Sequence, residues 1–154
     1  MSDALSKLIS STLDNLVVAD NGGNLLSNTS IDNLLIKIED SLINNLKPGD
    51  VLLINLDRNH KYLFVILICL KLGIAFVPTS THFPKSRIDQ IAKISNCDFI
   101  LDNDNWDSFI NPKSSKILKK TLLSAKVSTI AYIIFTSGST GAPKGVVISR
   151  NAYL

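Results

Sequence analysis

Cysteine, histidine and tryptophan are scarce in this chain of 154 residues, which has 2 Cys, 2 His and a single Trp. Cys69 and Cys97 lie far apart and not in the spacing of a metal site, so neither a disulfide framework nor a zinc site is expected. Cys69 falls in the apolar run YLFVILICL, which predicts a buried, reduced thiol. His60 and His82 are isolated, and each is expected at the surface or in a turn rather than as a ligand or base.

Charged residues are also few, at 19 % of the chain, and the formal net charge is +3. Lysines and arginines are scattered, and Lys119 and Lys120 are their only adjacent pair. A nucleic-acid partner usually requires a basic stripe with interleaved aromatic residues, which this sequence lacks. The small positive excess suits an anionic ligand without identifying one.

Long apolar runs are missing as well. The run from Tyr62 to Leu70 is interrupted by Lys71 and soon followed by Gly73, so it is shorter than the ~20 residues of a membrane span. The first thirty residues are polar and lack the apolar central segment of a secretory signal. The sequence therefore predicts a buried helix in this run, no membrane partner and a cytoplasmic location.

Helical and strand patterns alternate along the chain. Helices are expected over residues 3–16, from a cap at Thr29 or Ser30 to Leu46, over Lys61–Leu72 with Gly73 as C-cap, and from Pro84 to Ser95. Strands are expected over Val17–Ala19, Val51–Leu56, Ala75–Val77, Phe99–Leu101, Ala131–Phe135 and Gly145–Ile148, and residues 102–116 are expected to form a loop anchored by Trp106. Such alternation predicts an α/β fold with a mostly parallel sheet flanked by helices. Ligands of such sheets collect beyond the carboxyl ends of the strands.

The segment after the expected strand Ala131–Phe135 has the composition of a phosphate-binding loop. It reads TSGSTGAPKG. The residues in it that could contribute to phosphate binding are Thr136, Ser137, Gly138, Ser139, Thr140, Gly141, Lys144 and Gly145. Hydroxyls and exposed backbone N–H groups are donors suited to phosphate oxygens, glycines permit positive φ, and the lysine adds a positive charge. The P-loop pattern of nucleoside triphosphatases needs Lys-Ser/Thr where this chain has Lys144-Gly145, and the Rossmann glycine pattern is not met either.

The string from Tyr132 to Val146 resembles the phosphate-loop signature of the adenylate-forming superfamily, the AMP-binding synthetases and ligases. That superfamily includes acyl-CoA synthetases, luciferases and the adenylation domains of nonribosomal peptide synthetases. The segment Leu70 to Pro78 is similar to the family's second core motif, and Pro84 to Ile94 to the helix that follows it. The resemblance runs from about residue 28 to 154, and implies the N-terminal part of the large domain of an AMP-dependent synthetase or ligase.

The resemblance implies that a small-molecule carboxylate attacks the α-phosphate of MgATP, and that the acyl-adenylate passes to a thiol of coenzyme A or of a carrier-protein phosphopantetheine. The loop residues would hold the β- and γ-phosphates: Thr136, Ser137, Ser139, Thr140, the amides of Gly138 and Gly141, and Lys144 as the neutralising charge. Val77-Pro78, His82 to Pro84 and Arg87-Ile88 are more similar to amino-acid-activating members than to acyl-CoA synthetases.

The chain departs from the family in length. Family members continue for several hundred residues beyond the loop, so the resemblance implies that residues 1–154 are a partial adenylation domain, truncated after the phosphate-binding loop. The family's catalytic lysine and its Mg²⁺ ligands belong to the later part, so no catalytic residue and no metal ligand is assigned here. The isolated chain is expected to be inactive and to expose apolar strand faces. The alternatives are an acyl-CoA synthetase fragment and a non-catalytic remnant.

Arg150 is a smaller departure, because many family members have a histidine at about this position. The role that such a histidine carries elsewhere is therefore not transferred to this chain.

Overall fold

The chain was analysed as a computed structural model that describes residues 17–20, 22–47, 49–112, 129–137 and 143–153. The expected helix over residues 3–16 lies outside these ranges. Within them, five strands form one sheet in the order β3-β1-β2-β4-β5. The first four strands are parallel, and β4 and β5 are antiparallel. The expectation of a mostly parallel α/β sheet is confirmed.

The elements keep the predicted order, with bounds that differ by one to two residues in most cases. The strands are β1 Val51–Asn55, β2 Ala75–Pro78, β3 Phe99–Asp102, β4 Ile130–Ser137 and β5 Pro143–Ser149. The helices are α1 Asn28–Asn45, α2 His60–Leu72, α3 Lys85–Ser95 and α4 Trp106–Ile110, and a 3-10 turn covers Arg150–Tyr153.

The start of α1 differs from the prediction. The capping hydroxyl is that of Ser27, which accepts the backbone N–H of Ser30 at 3.2 Å, so Thr29 and Ser30 lie inside the first turn. All three hydroxyl residues can cap a helix, and sequence alone did not separate them. The expected strand Val17–Ala19 is also wrong, because its described pairing is a single bridge between Ala19 and Leu25.

Gly73 ends α2 as predicted. Its φ of 73° is left-handed, and its backbone N–H reaches the carbonyl of Cys69. A side chain at this position would strain the backbone, which explains glycine here.

The expected loop around Trp106 is wrong in its first part, because Trp106–Ile110 is helical. Asp102 and Asn105 each accept the other's backbone N–H, at 2.9 and 3.1 Å, and make the tight turn that starts the helix. Trp106 and Phe109 are both buried, so the expectation of a Trp106 anchor holds. Residues 113–116 lie outside the described ranges.

Side chains alternate between two apolar layers on the two sides of the sheet. One layer packs strand residues such as Leu52 and Phe76 against α1, α2 and α4. The other packs Leu53 and Val77 against α3. The centre of β1, from Leu52 to Ile54, is fully buried, as expected for a strand covered on both faces.

Candidate functional site

The glycine- and hydroxyl-rich segment lies at the end of the β4–β5 hairpin, beside the carboxyl ends of the parallel strands. The structure extends both strands into the segment that the sequence predicts as a loop. Thr136 pairs with Lys144 and Ser137 with Pro143. Four of the expected loop residues are therefore paired hairpin residues, because the antiparallel ladder continues past the predicted strand ends.

Thr136 and Lys144 form the part of the candidate site that the structure brings together. Residues directly opposite each other in an antiparallel pair point to the same face, with Cβ atoms about 4.5–5.5 Å apart. Both residues are exposed. A hydroxyl donor and an ammonium group thus lie side by side at the free end of the hairpin.

The remaining predicted site residues are only partly placed. Ser137 is the last residue of β4. Gly138, Ser139, Thr140 and Gly141 lie outside the described residues.

The two faces of the hairpin differ in their cover. The Ile133 and Phe135 face packs against the apolar layer under α3. On the other face, Thr136 and Lys144 adjoin the pair Ile134 and Val146, which are 41 % and 51 % exposed. Val147 is also more than half exposed, so the difference in cover is confined to β4. The candidate donors therefore project from the open face.

Glycine at position 145 is not explained by a positive φ, which is the reason that the sequence suggests for the glycines of this segment. It lies in β5 and does not have a positive φ. A Cβ at this position would lie 3.1 Å from Phe135 Cζ and 3.1 Å from Ile133 Cγ2. Close packing against Phe135, and not backbone freedom, accounts for glycine here.

Polar side chains at the ends of β1 and β2 form a separate network at the same edge of the sheet. The hydroxyl of Thr79 donates to the carbonyl of Ile54 at 2.9 Å and to Asn55 Oδ1 at 3.2 Å. The hydroxyl of Thr81 donates to Asp57 Oδ1 at 3.0 Å. These groups satisfy one another and join the two strand ends, so we assign them a structural role.

Arg87, singled out in the sequence, stacks on Phe83 with 4.4 Å between Cζ and the ring centroid. Its Nε is buried and has no hydrogen-bond partner among the described residues. Phe83 packs against the same apolar layer as Phe135. Stacking on an aromatic face is an arrangement that arginine adopts and lysine does not reproduce.

Arg150 joins the base of the hairpin to α2. Its Nη2 donates to the carbonyl of Leu70 at 2.7 Å, and its backbone N–H donates to Thr129 O at 2.9 Å. Burial lowers the pKa of its guanidinium. A cation at the carbonyl end of α2 also complements the helix dipole. The structure thus gives Arg150 a positioning contact at the amino edge of the sheet, away from Thr136 and Lys144.

The other titratable groups of interest lie away from the hairpin. Both cysteines are free, and burial raises the pKa of the Cys69 thiol, so the prediction of a buried reduced thiol is confirmed. His60 is the first residue of α2, and burial lowers its imidazole pKa.

An open pocket of about 460 Å³ lies at the amino edge of the sheet, between the end of α3 and the start of β3. Its lining residues are Ala92, Lys93, Asn96, Cys97, Asp98, Phe99 and Ile100. This pocket is at the opposite edge from Thr136 and Lys144.

Among the described residues, no group of three or more His, Cys, Asp or Glu could hold a metal ion. None of the described helices is long and apolar enough to cross a membrane.

The fold is a mostly parallel α/β sheet, and ligands of such sheets bind beyond the carboxyl ends of the strands, where Thr136 and Lys144 lie. The family described as AMP-binding enzyme matches residues 37–154. The chain therefore belongs to the AMP-binding enzyme family.

Curated relatives include nonribosomal peptide synthetases. Malformin synthetase mlfA from Aspergillus sclerotiicarbonarius is 34 % identical over 121 residues, which is 70 % of this chain and 2 % of that protein. Nonribosomal peptide synthetase ivoA from Emericella nidulans is 35 % identical over 125 residues, 69 % of this chain and 7 % of that protein. The chain thus spans only a small part of these relatives.

Solved structures of adenylate-forming enzymes share the fold. The NpsA N-terminal subdomain of Klebsiella oxytoca, in complex with 3-hydroxyanthranilyl-AMSN, has a TM-score of 0.72 at 21 % identity and covers 95 % of this chain and 39 % of its own. O-succinylbenzoate coenzyme A synthetase from Bacillus subtilis, in complex with AMP, has a TM-score of 0.67 at 16 % identity and covers 97 % of this chain and 43 % of its own. At these identities the likeness concerns the fold alone.

Proposed function

We propose that this chain supplies the pyrophosphate-binding part of an enzyme that activates a carboxylic acid with ATP as an acyl-adenylate, for transfer to a thiol. The observation that carries the proposal is the register of the β4–β5 hairpin, which pairs Thr136 with Lys144 on the open face. A hydroxyl donor beside a positive charge is suited to the β- and γ-phosphate oxygens of ATP.

The residues act through position and charge. Lys144 would neutralise charge that develops on the leaving pyrophosphate, and the Thr136 hydroxyl would donate a hydrogen bond to one of its oxygens. We extend the same role to Ser137, Ser139, Thr140 and the amides of Gly138 and Gly141. Mg²⁺ would arrive bound to ATP, because this ion is usually held by substrate phosphates together with one or two carboxylates.

We infer that the carboxylate is an amino acid and that the thiol acceptor is a carrier-protein phosphopantetheine. The names of curated relatives that are 30 % identical or more support this inference, since they include nonribosomal peptide synthetases. A coenzyme A acceptor is the second candidate, supported by the fold shared with a coenzyme A synthetase. A cytoplasmic location suits ATP and either thiol.

We further propose that residues 1–154 belong to a larger adenylation domain and bind pyrophosphate without catalysing adenylation on their own. The chain covers 39 % of the solved NpsA N-terminal subdomain, which leaves most of that fold without a counterpart here. A non-catalytic remnant would share this behaviour. The two hypotheses, part of an adenylation domain and a non-catalytic remnant, differ in one expectation. Only the first expects adenylation activity when the chain is part of a complete domain.

Two measurements test the proposal. Calorimetric titration of pyrophosphate into the 154-residue chain is expected to show binding that Lys144→Ala weakens by about tenfold or more, since a hydrogen bond to a charged group contributes about 1.5–3 kcal/mol. Lys85→Ala is the matched control, because Lys85 is exposed on α3 and pairs only with Asp89 among its described contacts. Equal affinity in both variants would contradict the assignment of Lys144.

The second measurement is ATP–pyrophosphate exchange by the 154-residue chain with a panel of amino acids. We expect no exchange above background. Clear carboxylate-dependent exchange would contradict the claim that this part alone does not catalyse adenylation.

A further inference from the structure

We propose that Gly145 and Phe135 form a positioning pair, which sets the backbone of the hairpin so that Thr136 and Lys144 can bind one anion together. The inference rests on the proposed function, because it concerns the same phosphate-binding pair. It assigns neither residue a contact with the ligand.

The two residues are directly opposite in the hairpin register. A Cβ built on Gly145 would lie 3.1 Å from Phe135 Cζ, 3.3 Å from Phe135 Cε1 and 3.1 Å from Ile133 Cγ2, so the Phe135 ring supplies two of the three close contacts. Carbon atoms in favourable contact lie about 3.5–4.0 Å apart, so the Phe135 ring already occupies the space of a side chain at 145. An aromatic ring that covers a cross-strand glycine is a known way to fix strand register.

The Phe135 ring is half-buried, and packing opposes its movement on the side that faces α3. Phe135 packs against the buried layer under α3, which includes Ile88 and Ile91. The ring is therefore held between that layer and the backbone of Gly145. A methyl group at 145 would have to shift Phe135, Ile133 or the β5 backbone by a few tenths of an ångström, and packing against the α3 layer favours a shift of the backbone.

A shift of the β5 backbone at position 145 would change the geometry of the neighbouring candidate site. The next pair along the hairpin after Phe135 and Gly145 is Thr136 and Lys144. Hydrogen bonds weaken steeply with small changes in distance and angle, so a shift of the β5 backbone would separate the two anion donors. Among the described residues of the open face, Ile134 and Val146 are 41 % and 51 % exposed, so packing from that side would do little to restore the spacing.

A double-mutant cycle on the 154-residue chain tests the pair, with pyrophosphate as the probe. We expect Gly145→Ala to weaken pyrophosphate binding by about 10- to 100-fold, the effect of losing one charge-assisted contact. Phe135→Leu removes both ring atoms that approach position 145. In the Gly145→Ala background it is expected to restore part of the lost affinity, because Ile133 Cγ2 still lies 3.1 Å from the added Cβ. Alone, Phe135→Leu should lower affinity only slightly.

Two controls separate positioning from a general loss of structure. Val147→Ala lies on the same strand and face as Gly145, with its side chain 56 % exposed, and should leave pyrophosphate affinity unchanged. Amide NMR spectra of Gly145→Ala should show shifts at Thr136 and Lys144 that Phe135→Leu reverses. The melting temperature of each variant is recorded beside its affinity.

The possible results distinguish failure of the positioning pair from failure of the proposed function. Full affinity in Gly145→Ala, or a loss that Phe135→Leu fails to restore, would overturn the positioning pair while the proposed function stands. If Gly145→Ala does not fold, the double variant must fold and bind pyrophosphate, and failure of either would overturn the inference. Absence of pyrophosphate binding by the parent chain would contradict the proposed function and the inference with it.

Discussion

The centre and one end of the same sheet differ sharply in cover. At the centre, β1 is covered by helices on both faces, and its Leu53 is fully buried in the layer against α3. At the end, Val146 and Val147 in β5 project to opposite faces and are both more than half exposed. The covered centre provides the stability of the domain, and the hairpin end carries the candidate donors on a surface that a ligand can reach. Loops and ends on a rigid scaffold are where binding groups concentrate.

The largest expected effect comes from a substitution at the covered centre. Leu53→Ala should lower the free energy of unfolding by about 2–5 kcal/mol, because it leaves a cavity in a layer that cannot fully collapse. Val146→Ala at the exposed end should change it by no more than about 0.5 kcal/mol. Urea denaturation of both variants measures the difference. Equal losses of unfolding free energy in the two variants would mean that Val146 is as well packed as Leu53.

A second prediction concerns the backbone of the covered region. Gly73→Ala should lower the free energy of unfolding by about 1–2 kcal/mol, since φ at Gly73 is 73° and a side chain is strained there. Pyrophosphate affinity should not change, because Gly73 ends α2 at the opposite edge of the sheet. The same urea series, with a pyrophosphate titration beside it, checks both parts. A Gly73→Ala chain of full stability would contradict the left-handed cap.

The exposed end should govern self-association. An open strand edge with uncovered apolar residues invites pairing with a second chain, and a lysine placed there opposes it. Val147→Lys is therefore expected to lower the aggregation of the 154-residue chain while changing its stability by less than about 0.5 kcal/mol. Light scattering as a function of concentration measures the effect. Val17→Lys, at an exposed position away from the hairpin, is the control and should leave aggregation unchanged.

The smallest expected effect is the pH dependence from His60. Burial lowers its imidazole pKa below the ordinary value of 6.5, so the unfolded chain binds the proton more readily than the folded chain. The contribution of His60 to stability is therefore fully present above pH 6.5 and is lost as the pH falls toward the folded pKa. His60→Gln should flatten this part of the curve of unfolding free energy against pH. An unchanged slope between about pH 7 and 5 would exclude His60 as its source.

Much of the sheet could be predicted from sequence because its signals are local. The apolar run from Val51 and the glycine after Leu72 specify a buried strand and a helix end without reference to distant residues. The cap of α1 was mispredicted because Ser27, Thr29 and Ser30 are chemically alike. The α4 helix was missed because it depends on the reciprocal hydrogen bonds of Asp102 and Asn105, which polar composition does not reveal.

The candidate site was predictable in composition but not in geometry. The sequence indicated Thr136 and Lys144 as donors, yet it placed both in a loop. Their pairing depends on the cross-strand register, which emerges only when β5 folds back on β4. The reason for glycine at 145 was also hidden, since the contact with Phe135 is made across the hairpin and not along the chain.

The most direct test of the central claim is an amide NMR titration of the 154-residue chain with pyrophosphate. We expect the largest shifts among the described residues at Thr136 and Lys144, with little change at the covered centre around Leu53. Lys144→Ala should abolish the pattern, and Lys85→Ala should preserve it. Shifts concentrated at the opposite edge, around Asn96 and Cys97, would contradict the account, because the anion would then bind in the pocket at the amino edge of the sheet.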